Sequence, residues 1–349
     1  PEERARQQAL RAEGRLLGIG IASYVEFTGA GQSVIFRMIG FKRGGYESAV
    51  VRVHPDARVT VFSGVSSHGQ SHHTTLPQIV ARQLRMPVDD VELVQSDTAV
   101  TPPGSGTFNS RSMPVGASAI VVAANRVVDK ARRIAASVLE ADVDDVEQIE
   151  GGFAVRGAPA RSVPWRRVAE EAHLGGLGPD IEPTLEAQAT FEPRGLPCAF
   201  GAHAVVVEVD AETGDVRLDR VIAVDDCGNI VNPVIATGQV HGGLAQGLGQ
   251  ALWEAISFDD EHRQTATSFM TYRMPRAADF PRFETHNTVT PSPLNPLGVK
   301  GVGEAGTIGS TPAAYAAVLD ALRHLGVREL DMPLTPERVW RAMRGRQAR

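Results

Sequence analysis

Hydrophobic and polar positions change period several times along this chain, and each change marks an element. Residues 1–13 are charged and helical in pattern, and they lead into an apolar, glycine-spaced strand from Leu17 to Val25. Between Glu47 and Ser63 two β-branched runs flank His54-Pro55-Asp56-Ala57, which predicts a hairpin. Leu76, Ile79, Val80 and Leu84 recur at helical spacing, so an amphipathic helix is expected over roughly 72–85. A short strand follows at Val91 to Gln95, and then a long helix of Ala and Val from about Pro114 to Leu139.

Residues 143–192 read as a connector: a small Gly151-Gly152 hairpin, a short helix near Trp165 and proline-broken coil. From Ala202 to Val224 two alternating strands flank Asp210-Ala211-Glu212-Thr213-Gly214-Asp215, again a hairpin pattern. A helix is expected from Pro233 through Trp253, and two more at 311–325 and 335–346. Strands, a polar loop and a long helix thus occur twice in succession. That layout predicts an α+β protein of two subdomains, 1–192 and 193–349, with mixed or antiparallel sheets and long packed helices.

The candidate chemistry lies in four loops. Gly64 to Gln70 precedes the first amphipathic helix, where free N–H groups favour anions and Gly69 admits a phosphate or oxo group. Gly104 to Ser112 offers hydroxyls and backbone N–H groups, with Arg111 as a charge partner for phosphate. Taken alone, the first loop reads better as a polar helix cap, and the second reads equally well as a Ser-rich capping loop. Asp225 to Pro233 opens a helix holding five glycines between Gly238 and Gly249. Each costs about 1 kcal/mol against alanine, so a neighbouring helix or a ligand is expected against that backbone. Gln246 on this helix can offer its amide to an acceptor. Finally, Gly298 to Gly309 is rich in glycine and holds a single carboxylate, Glu304, which looks aimed at a ligand rather than solvated.

Composition narrows the class. Hydrophobic residues at 42% and charged residues at 22% suit a soluble globular enzyme, and 349 residues allow a substantial core. Aromatics at 5% and a net charge of −6 argue against a nucleic-acid surface, and the five arginines in the last twelve residues fit a solvated helix. Neither a membrane span nor a signal peptide is visible, and Cys198 and Cys227 are expected as reduced thiols in a cytoplasmic protein. Two cysteines cannot hold an iron–sulfur cluster, and His68, His72 and His73 match no zinc spacing, so no protein-ligated metal is expected. The chain opens on Pro1 rather than Met, which suggests a piece of something longer.

Taken in order, the motifs resemble those of the aldehyde oxidase/xanthine dehydrogenase family of molybdenum hydroxylases, in the branch of aerobic carbon monoxide dehydrogenase large subunits. They are Gly-Ile-Gly-Ile-Ala-Ser-Tyr-Val-Glu at 18–26, Gly69-Gln70, Gly-Thr-x-x-Ser-Arg-Ser at 106–112, Asp-Asp-Cys-Gly-Asn-Ile-Val-Asn-Pro at 225–233, Gly-Gln-Val-His-Gly-Gly-Leu-Ala-Gln-Gly-Leu-Gly at 238–249, Tyr-Arg-Met-Pro at 272–275 and Pro-Leu-Gly-Val-Lys-Gly-Val-Gly-Glu at 296–304. The ordered set is specific where each motif alone is weak. It resembles the C-terminal half of the family's large subunit. The resemblance implies a molybdenum–pterin cofactor in its cytosine dinucleotide form, surrounded by Gly69, Gln70, His72, Thr107, Ser110, Arg111, Ser112, Cys227, Asn232, Gln246, Lys300, Gly301, Val302 and Gly303. Glu304 matches the family's base beside the metal, which is held by the pterin rather than by protein.

The implied reaction oxidises a small substrate with an electrophilic carbon: CO, an aldehyde or an N-heterocycle. The implied partners are the N-terminal half of the large subunit, an iron–sulfur subunit carrying [2Fe-2S] and an FAD subunit, assembled as a dimer of heteromers. Three positions depart from the family pattern: Ser71 and Asn109 stand where glycine is usual, and His73 where glutamate is common. A rival reading is a non-catalytic half-subunit that binds cofactor or partner chains. Another is a hydrolase built on Ser66, Ser67 and His68, which lacks a nucleophile elbow and an ordered acid.

Overall fold

The computed structural model describes residues 2–178 and 181–345. Two four-stranded sheets, each covered by helices, carry the fold. In the first, β2 (Glu47–Val53), β3 (Val59–Ser63), β4 (Val91–Val94) and β8 (Leu185–Phe191) lie in the order β4-β3-β2-β8. The β2–β3 pair is the expected hairpin, with Val53 opposite Val59, and β3 runs parallel to β4. Helices α3 (His72–Leu84) and α4 (Ser118–Leu139) close this sheet with a core of Val, Ile, Leu and Ala. A π-helical turn, Ser112–Ala117, leads into α4.

In the second sheet, β1 (Leu16–Phe27), β9 (Cys198–Val209), β10 (Val216–Asp226) and β11 (Glu284–Thr288) lie in that spatial order. Helices α6 (Pro233–Leu252) and α7 (Ala305–Leu322) cover it, with α8 (Pro336–Arg344) packed alongside the same core. Short α2 (Ser33–Met38) and N-terminal α1 (Glu2–Ala12) complete the set with the elements below. Residue 346, included in the expected last helix, lies outside the described residues.

Three expectations need correction. The stretch 143–192 is not a connector: β5 (Val146–Ile149), β6 (Gly152–Val155) and β7 (Ala158–Pro164) form a third sheet, and α5 (Trp165–Leu174) packs its Trp165 and Val168 into the first core. The supposed coil after it contains β8, which pairs along the whole of β2. A division at residue 192 also misplaces α1 and β1. Residues 16–27 pair with 198–209 in unbroken antiparallel register, so the second sheet draws its edge strand from the chain's first thirty residues. Finally, α7 begins at Ala305 rather than 311, with Pro312 inside it. Gly306 and Gly309 therefore belong to a helix, and what lies against them is scaffold: α6 and the His203 ring.

Candidate active site

All four loops meet in one cavity of about 550 Å³ between the two sheet units. Each wall is fixed by local chemistry. Ser71 caps α3 in the left-handed region, φ 63°, without a capping side-chain bond, and the chain ahead of it brings Gly69 and Gln70 to the cavity. The second loop is laced to the first, since Thr107 Oγ1 donates to the Ser66 carbonyl at 2.7 Å and accepts from Ser66 N at 3.0 Å. Ser112 Oγ joins Thr107 at 2.9 Å. His72 lines the cavity with its ring buried, and burial pushes its pKa down to about 4, so the imidazole is neutral.

The remaining walls come from the second unit. Asn232 caps α6 by accepting from Ile235 N at 3.2 Å, and its amide donates to Gln78 on α3 at 3.1 Å, joining the units. Gly228 and Val299 form an antiparallel bridge, and Lys300 N donates to the Cys227 carbonyl at 2.7 Å. The Lys300 ammonium donates to Asp226 at 3.0 Å and lies over the Phe200 ring. Burial works to raise the Asp226 pKa, but hydrogen bonds from Lys300, Gly228, Thr290 and Thr288 outweigh it and leave the carboxylate at about 2. Burial, followed by the Asp226 charge, pushes the Cys227 thiol up to about 11. Both cysteines are free thiols.

Glu304 stands at the N-cap of α7, on the cavity wall, and its carboxylate accepts from Ser110 Oγ at 2.9 Å. Ser110 and Asn109 are both left-handed, φ 48° and 47°, and Gly301 lets Ser110 come so close that a Cβ there would collide with it. Asn is the side chain best suited to that backbone after glycine, which accounts for one departure from the family pattern.

Of the residues singled out in the sequence, Gly69, Gln70, His72, Thr107, Ser110, Ser112, Cys227, Asn232, Gln246, Lys300, Gly301, Val302, Gly303 and Glu304 line this cavity. Arg111 does not. Its guanidinium is fully buried, paired with Glu47 and bonded to the carbonyls of Ala30, Gly45 and Gly106, so it holds the loop from within rather than facing a ligand in the cavity. Glu47, unmarked in the sequence, also accepts from Ser105 N and Gly106 N and so pins the second loop from beneath. Asn229 and Gln239 line the cavity as well; both stand in the motifs at 225–233 and 238–249, where nothing in the sequence marks which polar side chain faces a ligand. Ser66 Oγ lies 3.4 Å from His68 Nε2, but among the described residues no acid orients that ring, which removes the hydrolase reading.

The donor set suits a large anionic cofactor with a hydrogen-bonding ring system. Side-chain amides, hydroxyls and a neutral imidazole face the cavity, while the Lys300 ammonium in its lining is committed to Asp226. Anion binding then falls to backbone N–H groups at the α3 and α6 termini. Among the described residues no cluster of three His, Cys, Asp or Glu side chains could hold a metal.

A family model described as molybdopterin cofactor-binding domain matches residues 1–281. The chain is 38% identical over 348 residues to the carbon monoxide dehydrogenase large chain of Hydrogenophaga pseudoflava, covering 99% of this chain and 43% of that protein. Among solved structures it resembles reconstituted CO dehydrogenase from Oligotropha carboxidovorans, TM-score 0.92 and 36% identity, covering 99% of this chain and 43% of that one. It also resembles quinoline 2-oxidoreductase from Pseudomonas putida 86, TM-score 0.90 and 38% identity, covering 98% and 44%. The chain thus spans somewhat under half the length of these relatives.

Proposed function

The chain belongs to the aldehyde oxidase/xanthine dehydrogenase family of molybdenum hydroxylases, as a molybdopterin-binding part of a large subunit, and we propose that its cavity holds the cofactor with Glu304 as general base. The observation that carries this reading is the convergence of four loops, far apart in sequence, around one carboxylate. When bound, the molybdenum–pterin group supplies the redox and oxygen-transfer chemistry. Gln70, Ser112, Asn232 and Gln246 would hydrogen-bond its ring system and pyrophosphate, Thr107 would hold the first two loops together around it, and the α3 and α6 N-termini would take its negative charge. Glu304 receives a proton at its carboxylate while Ser110 keeps that group turned toward the cavity. Lys300 sets the floor by tying its loop to Asp226.

The substrate is a small molecule with an electrophilic carbon; the names of the relatives carry CO and quinoline, and an aldehyde belongs to the same class. The cofactor is in its cytosine dinucleotide form. The rest of the large subunit and electron-transfer partners bearing [2Fe-2S] and FAD complete a dimer of heteromers in the cytoplasm. Among the described residues no helix is long and apolar enough to cross a membrane. Ile21, Val25 and Phe27 on the outer face of β1 are 72%, 72% and 64% exposed, an apolar surface that supports docking of the remaining subunit.

In the assembled enzyme Glu304→Gln is expected to retain molybdenum and to lose turnover by roughly 10²–10⁴-fold, the usual worth of a general base. Undiminished turnover would remove Glu304 from the reaction. Molybdenum bound without turnover in the unaltered enzyme would favour the non-catalytic half-subunit.

A further inference from the structure

Alternation along β1 sends its even-numbered side chains to the face covered by α7. Gly18 and Gly20 lie against Ala317 and Ala313 of that helix, and the Tyr24 hydroxyl donates to Asp225 at 2.6 Å. Two residues on, Glu26 arrives beneath the N-terminus of α7 and faces Glu304. Glu26 is 8% exposed, and neither of its carboxyl oxygens has a hydrogen-bond donor from the protein.

Two ionised carboxylates are acceptors only, so their contact is repulsive unless one of them carries a proton. Among the described residues no cation is paired with either carboxylate. The Lys300 ammonium is bound to Asp226, and Arg111 is closed in by Glu47. Several other titratable groups on β1 and the elements against it are engaged elsewhere. Tyr24 and His203 both bind Asp225, the Cys198 thiol donates to the Leu196 carbonyl, and Asp320 accepts from Ile19 N, Gln7 and Arg4. A proton on Glu26, the buried member of the pair, turns that repulsion into a hydrogen bond.

We propose that Glu26 is a positioning residue that presents a proton to the Glu304 carboxylate and, together with Ser110, fixes the plane in which that carboxylate meets the cavity. This rests on the reading of Glu304 as the base. Burial, and after it the hydrogen bond and charge of Glu304, push the Glu26 carboxyl up to about 8. Below that pH the neutral Glu26 donates to Glu304 and orients it. Above it Glu26 loses its proton, and the second negative charge drives Glu304 away from the Ser110 hydroxyl. The orientation of the base therefore has an alkaline limit set by a residue 278 positions earlier in the chain.

The test uses the assembled enzyme and two readouts. Infrared pH titration, taken as the difference between unaltered enzyme and Glu26→Gln, follows the neutral-carboxyl stretch of Glu26. The expected result is a neutral carboxyl at neutral pH, lost with a midpoint at about 8, and a midpoint that moves down in Glu304→Gln because the facing charge is gone. In turnover, Glu26→Gln keeps a donor that cannot titrate, so the alkaline fall of kcat/KM disappears. Glu26→Leu supplies no donor and loses about 10²-fold in kcat with KM little changed, the effect of a misplaced reactive group. A Glu26 carboxyl already ionised at neutral pH, or a midpoint indifferent to Glu304→Gln, overturns the inference whatever the turnover of the variants. If the midpoint moves but Glu304→Gln remains active, the carboxyl pair stands and the base assignment is what fails.

Discussion

The two sheet units of this molecule solve the same packing problem with different materials. Around the first sheet, Val51, Val61, Leu76, Ile120 and Ile134 are fully or almost fully buried, and helices meet strands through branched side chains. The conspicuous polar group within it is the Glu47–Arg111 pair. Around the second sheet, contact is often backbone to backbone: Gly18 and Gly20 of β1 against α7, and Gly243 of α6 within 2.9 Å (from an added Cβ) of Gly306. Beneath those contacts lie Glu26, His203, Asp225 and Asp226, all buried. The first unit is a scaffold that shapes one wall. The second brings main chain close enough to bury ionisable groups beside the cavity, and the proposed base stands there.

That contrast can be broken by substitution. Arg111→Met leaves Glu47 buried with only backbone donors, and the expected loss is roughly 3–5 kcal/mol of unfolding free energy. Adding Glu47→Leu to it is expected to recover much of that, and denaturant unfolding of both variants measures the difference. A negligible loss from the single change would mean that the first unit does not depend on this buried ionic joint.

A smaller effect is expected in the second unit. An alanine Cβ at Gly306 would press on the Val240 carbonyl oxygen, a backbone atom that cannot yield cheaply. Overpacking of about 1–3 kcal/mol should then outweigh the helix-propensity gain of about 1 kcal/mol, and molybdenum content should fall as α6 and α7 part. Gly238→Ala, in the facing helix α6 and with no atom within 4 Å of the added carbon, is expected to raise stability instead. Equal outcomes at the two sites would show that backbone contact is not what distinguishes the second unit. The smallest effect sharpens the picture of the first loop. Ser71 is left-handed without a capping bond, so Ser71→Gly should stabilise the chain by about 1 kcal/mol, read as a rise in thermal midpoint.

Much of this was legible in one dimension because it depends on period and punctuation. The β2–β3 hairpin, α3, α4, the β9–β10 hairpin and α6 follow from alternation, helical spacing and Asp/Gly turns. The β8 strand was hidden because prolines at 183 and 193 bracket it and its partner β2 lies more than 130 residues earlier. The start of α7 was misread because glycines and the Thr311-Pro312 step imitate a boundary, when tertiary contact with α6 sustains the helix through them. Arg111 looked like a phosphate ligand because its acid, Glu47, is 64 residues away and leaves no local trace. Glu26 was part of a recognised motif, yet its relation to Glu304 exists only once β1 crosses to β9.

The bare-backbone seams on either side of α7 have one more implication. A helix that meets β1 and α6 backbone to backbone at these glycines has little compressible material there in which to slide or roll, so its first residue is held to a narrow range of bearings relative to both neighbours. Selectivity for a new substrate can then be acquired by exchanging surfaces across the cavity, while the tip of α7 serves every variant as an unmoving datum.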